Sequence, residues 1–273
     1  MTIDDSIDQP SDELIANLDD DGVLLLTLNR PHKKNALNDA MVAGLIEHLR
    51  DANNNEAVRS ILLAAAGDDF CSGFDIVGRN AGDDRPRAGA IQRRLPSQAH
   101  QLIPMMLETQ VPIVAAARGW VAGIGLNLAL AADFVVVADD ATLWCPFSAR
   151  GFTPDSGAAW LLPHIVGPVR ARELLVLGRQ LDGATAVAWN LVHRAVPRDE
   201  VDETAHGLAV ELARGPTVAL GLTKWLINTG LTTPLRDHLA HEALAMEVSS
   251  RASDFKEGLR AFVEKRPPRF EGR

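Results

Sequence analysis

Three short stretches carry residues whose types and spacing could do chemistry. The first, 119–125, reads GWVAGIG: Gly119, Gly123 and Gly125 punctuate the passage from an apolar run (111–117) to an Ala/Leu-rich helical stretch (124–132). Strand, glycine turn and helix in that order aim unpaired backbone N–H groups at whatever sits before the helix, and a helix start of this kind stabilises a negative oxygen, charged or developing. A turn packed tightly for structural reasons has the same spelling. The second stretch, 70–75, reads FCSGFD and follows another apolar run (60–66). If the two runs are neighbouring strands, both turns lie at one edge of a parallel sheet, where such sheets place their sites. One N–H from each loop could then grip a single carbonyl oxygen. The third, 146–163, reads PFSARGFTPDSGAAWLLP, and Asp155 is its only acid. Asp155 stands just before a helix and is a good N-cap there. With Phe147, Phe152 and Trp160 close in sequence, it could equally be a carboxylate in apolar surroundings, with a raised pKa and the capacity to act as a base near neutral pH. The residues alone leave both readings open.

Other chemistries find less support. His164 and His193 lie at element ends without a matched Ser, Cys or metal partner, and neither a nucleophile elbow nor a P-loop occurs. Cys71 and Cys145 are too few for a disulfide framework and lack metal-ligand spacing, so they read as small buried residues. Five arginines (Arg79, Arg85, Arg87, Arg93, Arg94) lie in a Gly/Pro-interrupted segment, 77–97, with little periodicity. They could meet phosphate or simply solvate a mobile surface loop. A net charge of -9 argues against non-specific nucleic-acid binding, which needs a basic face. No apolar run approaches the ~20 residues that cross a bilayer, and the acidic start, MTIDDSIDQPSDE, is unlike a targeting peptide. The expectation is a soluble cytoplasmic protein with no nucleic-acid or membrane partner.

The elements that must position these stretches follow from pattern. Strands are expected over 23–29, 60–66, 111–117 and 134–139. Helices are expected over 40–53, capped by Asn38 or Asp39, over 98–108, from 157, and over 170–177. Alternating strands and helices predict an α/β fold whose sheet is largely parallel, with right-handed crossovers. From 201 the pattern is all-helical: 201–214, 216–229, 235–250 and 254–265. Several of these helices are apolar on more than one side, as in Val218, Leu220, Leu222, Trp225 and Leu226, so the tail is expected to pack on its own domain or on a second copy. The chain divides into a polar, poorly ordered 1–13, a core over 14–200 and a helical region over 201–273.

Taken together, the motifs resemble the crotonase superfamily, the enoyl-CoA hydratase/isomerase family. The carrying residues are Asn29-Arg30-Pro31 with Asn35-Ala36-Leu37-Asn38, the 70–76 and 119–133 stretches, Pro154-Asp155-Ser156-Gly157, and Ala261 to Arg266. The resemblance runs from about 23 to the end. It implies a spiral of ββα units, a C-terminal helical region that builds trimers or hexamers, and acyl-CoA thioester substrates. Coenzyme A then arrives as part of the substrate, with no metal or redox cofactor. The resemblance places the oxyanion hole on the backbone N–H groups of Phe74 and Ile124. It puts Lys34, Ala36, Leu37, Ser72, Asp75, Ile76, Gly123, Asn127, Phe147, Pro154 and Lys265 around the substrate and its CoA part. Ile124 stands where glycine or alanine is usual. The two glutamates that hydratases of this family use fall on Asn127 and Phe147, neither of which exchanges a proton as a carboxylate does. Asp155 falls where several isomerases of the superfamily place a catalytic aspartate, and 147–167 and 253–273 look most like the ring-epoxide isomerases of phenylacetyl-CoA degradation. The resemblance therefore implies an isomerase that moves a double bond with Asp155 as proton shuttle. Hydration, another lyase reaction of the family, and acyl-CoA binding without turnover are the alternatives.

Overall fold

The structure is a computed structural model that describes residues 13–79, 87 and 89–273, with only the backbone of Val77 and Arg79. The expected disordered stretch, 1–12, and Arg85 lie outside the described residues. Glu13, counted with that stretch, is fixed: its carboxylate reaches Arg30 Nε at 2.8 Å and accepts from Asn38 Nδ2 at 2.6 Å.

A six-stranded sheet forms the centre. Its strands are β1 (Leu14–Leu18), β2 (Val23–Leu28), β3 (Ser60–Ala65), β4 (Ile113–Ala117), β6 (Phe134–Ala138) and β9 (Arg194–Val196), in that spatial order. β1 is antiparallel to β2 and the remaining pairs are parallel. β1 is an addition to the expected strands; its burial pattern, one buried residue followed by four exposed, is that of an edge and gives little sequence signal. All five residues of β4 are buried, as in a parallel strand covered on both faces. A second sheet, β5 (Trp120–Ala122), β7 (Thr142–Trp144) and β8 (Gln180–Leu181), stands beside the first. β5 falls inside the stretch read as a plain glycine turn. Three residues are too few to show a period, and only pairing with β7 reveals the strand.

The helices fill in between. α1 (Asp39–Asn54) starts at Asn38, whose side chain accepts from Met41 N, and buries Met41, Val42, Leu45, Ile46 and Leu49 on one stripe. Two short helices, α2 (Ile76–Arg79) and α3 (Ala90–Arg94), precede α4 (Ala99–Glu108). α5 (Ile124–Ala131) is buried along its whole length. Hence β4–β5–α5 and β6–β7–α6 each send one strand to each sheet and then a helix, the ββα repeat of the crotonase-like spiral. α6 (Ala158–Leu175) joins the two helices expected there across a kink at Gly167 (φ 75°, ψ 166°), just before Pro168. α7 (Gly183–Ala188) is capped by Asp182, which accepts from Thr185 N at 2.7 Å.

The helical tail consists of α8 (Val201–Ala213), α9 (Thr217–Gly230), α10 (Leu235–Ser249) and α11 (Ser253–Glu264). α8 packs on β3, β4 and β6 through Val201, Ala205, Ala209 and Ala213, small residues at a four-residue spacing that let helix and sheet approach closely. Ser60 Oγ donates to the Ala209 carbonyl at 2.8 Å. α8 thus belongs to the core. α9 is pinned by Lys224, whose Nζ lies 2.8 Å from Asp133 Oδ2; burial raises the Asp133 pKa and lowers that of Lys224. From α9 onward apolar side chains face outward, among them Ile227, Leu235, Leu244, Phe262 and Val263. Among the described residues, no helix is long and apolar enough to cross a membrane.

Candidate active site

The two glycine loops meet because their parent strands do. β3 and β4 pair in parallel, so the chain leaves both at one end of the sheet. Cys71 N donates to Trp120 O at 2.9 Å, and Ala122 N to Cys71 O at 2.8 Å, which zips 71 to the 120–122 strand. Gly123 then takes φ 56°, ψ -127°, a conformation that essentially only glycine adopts, and the chain turns into α5. A Cβ there would stand 3.6 Å from Gly73 Cα, so the residues just before Phe74 and Ile124 abut. Gly125 serves close approach: a Cβ would come within 2.6 Å of Cys71 Cβ. Ile124 opens α5, where a first-turn N–H has no intrahelical acceptor.

A second set of bonds draws the 30–38 loop onto the same edge. Leu37 N donates to Gly73 O (2.9 Å), Asp75 N to Leu37 O (2.8 Å) and Ser72 N to Lys34 O (3.0 Å). Buried Arg30 anchors the loop: it donates to Ala36 O at 2.6 Å and pairs with Asp75 Oδ2 at 3.2 Å. The other Asp75 oxygen accepts from Gly78 N at 2.8 Å. The Gly78 bond, with Arg30 behind it, lowers the Asp75 pKa. The Asp75 carboxylate, expected at the substrate, is therefore committed to holding this loop. Asn35, fully buried, donates to Ala66 O and Asp69 O. Lys34 lies 3.5 Å from Asp69 Oδ2 with its ammonium over the Trp120 ring, and Ile76 is exposed at the start of α2.

The Asp155 loop closes the group. The structure rejects capping by its side chain: the residue preceding α6 is Gly157, with no side-chain cap bond, and Asp155 gives the helix only its carbonyl, accepting from Ala158 N at 3.1 Å. Left-handed Ser156 (φ 49°) and Gly157 (φ 85°) turn the chain away from the cap geometry. The Asp155 carboxyl is half-buried, and burial raises its pKa; a hydrogen bond from Ser156 and the field of His100 oppose the rise. Asn127, wholly buried on α5, donates through Nδ2 to Asp155 O at 3.2 Å and Ser156 O at 3.0 Å. Phe147 is buried and meets Phe152 edge-to-face at 5.6 Å. Trp160, expected beside Asp155, instead stacks on His164 at 4.2 Å and lines a cavity of about 410 Å³ with Leu130, Lys224 and Ile227.

Lys34, Ala36, Leu37, Ser72, Phe74, Asp75, Ile76, Gly123 and Ile124 are thus gathered on one sheet edge, with Asn127 linking them to Asp155 and Ser156, the residues that follow Pro154. Lys265 is not joined to them among the described residues. It is exposed, and its left-handed backbone (φ 55°) ends α11 with an N–H to Phe262 O. The residue that sequence reasoning missed is His100. It stands in the first turn of α4, three residues before Ile103, whose Cγ2 packs 3.3 Å from where a Gly157 Cβ would be. Its Nε2 is buried without a partner, and its field reaches Asp155. No local pattern signals a histidine whose field acts on a carboxyl 55 residues away.

A β–β–α spiral over a parallel sheet, two glycine loops that meet at one sheet edge, and a half-buried carboxyl whose turn is tied to the helix that follows one of them define a class. The model of the enoyl-CoA hydratase/isomerase family matches residues 19–273, and the chain belongs to that family. Among its relatives, 1,2-epoxyphenylacetyl-CoA isomerase of Escherichia coli K12 is 36% identical over 261 residues, covering 96% of this chain and 99% of that one. Enoyl-CoA hydratase domain-containing protein 2 of Mus musculus is 32% identical, over 92% of this chain and 85% of its own. The crystal structure of an enoyl-CoA hydratase from Bacillus anthracis superposes with a TM-score of 0.89 at 29% identity, covering 96% of this chain and 100% of that one. The crotonase-like fold expected from the motifs is the observed one.

Proposed function

We propose that the protein is an acyl-CoA isomerase that moves a double bond from Δ3 to Δ2, in an enoyl-CoA or a related ring-derived ester. The thioester oxygen lies between the backbone N–H groups of Phe74 and Ile124. The Asp155 carboxylate removes a proton from C2, giving an enolate conjugated with the double bond, and returns that proton to C4. Atoms and charge balance without a co-reactant, and coenzyme A enters only as part of the substrate. Lys34, Ala36, Leu37, Ser72 and Ile76 hold the CoA portion, and Phe147 with Phe152 forms an apolar wall for the acyl group. Lys265, remote from these residues along the fold, reaches the nucleotide end in a trimer or hexamer.

The observation that carries this reading is Asp155: a half-buried carboxyl with a raised pKa, on a turn tied by Asn127 to the helix that opens at Ile124. Burial prepares a carboxylate to take and return a proton near neutral pH. Hydration needs a second group to activate water, and the two positions at which the resemblance expects glutamates are an amide and a phenyl ring. The test is to follow the conjugated enoyl thioester absorbance with a 3-enoyl-CoA and, separately, with crotonyl-CoA. A rise with the first and no fall with the second is expected. Efficient hydration of crotonyl-CoA would overturn the reading, and binding of both esters without any change would establish a non-catalytic acyl-CoA binder.

A further inference from the structure

Asn127 has no exposed surface, so it does not belong among the residues that touch substrate. Its two contacts fix its orientation, since only the amide nitrogen can donate to two carbonyls. Its Oδ1 is buried without a partner, so the side chain is held for what its nitrogen does. Asn127 lies one turn after Ile124, and Asn127 N donates to Gly123 O at 3.2 Å, within a helix buried along its length. The turn it grips contains Ser156, a non-glycine residue in the left-handed region, which persists only where its surroundings hold it.

Resting on the reading of Asp155 as proton carrier, we infer that Asn127 is a positioning residue, an amide brace that fixes the Asp155 turn against the helix bearing the Ile124 oxyanion donor. The spacing between donor and base is then set by one side chain. A carboxylate at 127 has no hydrogen to give and would set its lone pairs against two carbonyl oxygens. The amide is therefore required by this arrangement, and a glutamate here would not restore a hydratase but would release the turn that carries Asp155.

The experiment compares Asn127→Leu and Asn127→Ser, each in the wild-type and the Asp155→Asn background. It measures kcat, KM, melting temperature and butyryl-CoA binding. A base displaced by about 1 Å costs on the order of 100-fold. Asn127→Leu should therefore lower kcat by roughly 10–100-fold with KM and butyryl-CoA binding within about twofold. Asn127→Ser, which keeps one donor, should recover part of the loss, and it carries the comparison if the leucine variant does not fold. In the Asp155→Asn background, substitution at 127 should cost nothing further, because residues that act as a unit are not additive. An unchanged kcat in both variants, a parallel loss of kcat and binding, or an additive loss in the double variant would overturn the inference. Full turnover in Asp155→Asn alone would instead remove the proton carrier itself, and the inference with it.

Discussion

Replacing Asp155 by Asn should separate chemistry from stability. The α6 start depends on the Asp155 carbonyl, which accepts from Ala158 N, and the Asn127 amide also binds backbone oxygens. None of these bonds is lost. The Ser156 bond to the side chain survives too, since an amide oxygen accepts as a carboxylate does. What disappears is an ionisable group whose charged form burial disfavours. Because its folded pKa lies above its unfolded value, the folded state binds the proton more tightly. The wild type therefore carries no penalty below the ordinary carboxylate range and loses stability as pH rises through it. The variant should melt at or above the wild-type temperature at pH 7, with the gap opening as pH rises above the ordinary carboxylate range, about pH 4. Turnover should fall by roughly 100–10,000-fold, the usual yield of general acid–base work, or about 2.7–5.4 kcal/mol of transition-state stabilisation. The assays are the conjugated enoyl absorbance and thermal melts on the two proteins side by side, with acyl-CoA binding expected unchanged. Turnover within threefold of wild type would show that the base lies elsewhere. A fall in melting temperature matching the loss of turnover would restore a structural role.

The remaining expectations are independent of that one. Lys224→Ala strands the buried Asp133 carboxylate, a loss of about 3–5 kcal/mol, or roughly 6–20 °C in melting temperature for a chain of this size. Calorimetry checks this, and a shift of only a degree or two would mean that the pair is solvated. The outward apolar side chains of α9–α11 call for a trimer or hexamer by light scattering, weakened by Phe262→Asp, whose ring is 83% exposed in the single chain. A stable monomer at micromolar concentration would contradict it. Burial pushes the Cys71 and Cys145 thiols up to about 12, so a disulfide reagent at pH 8 should label neither in the native protein and both after denaturation. Rapid native labelling would show that the 71–75 loop opens.

How much of this was legible in the sequence depends on how far each contact reaches along the chain. The spelling of 119–125 announced a strand-to-helix turn, because Gly123 is required locally by its dihedral angles and Gly125 by the approach of Cys71. Asn38 as a cap and the stripe from Met41 to Leu49 were equally local. Asp155 was legible as a residue of interest but not in its role, since choosing between cap and free carboxyl required the left-handed turn at Ser156 and Gly157. The motif resemblance brought Asn127 to attention as a missing acid, whereas its donor role depends on carbonyls 28 and 29 residues ahead. His100 and the three-residue β5 carried no local signal. The placement of α8 was hidden for the same reason: alanines every fourth residue suit an oligomer contact as well as a sheet.

That placement bears on how the chain comes to be folded at all. The face of β3 that Ala209 covers leaves the ribosome 149 residues ahead of its cover. At ordinary elongation rates the gap is roughly 7–30 s, long on the scale of hydrophobic collapse. Through the later part of it the apolar strands β3, β4 and β6 stand half-dressed, with the 70–75 and 119–125 loops already synthesised but the sheet beneath them unfinished. Completion waits on the arrival of Val201–Ala213. A nascent chain stalled before that helix should be a client for chaperones, and the late helix, rather than any catalytic residue, decides when the enzyme first exists.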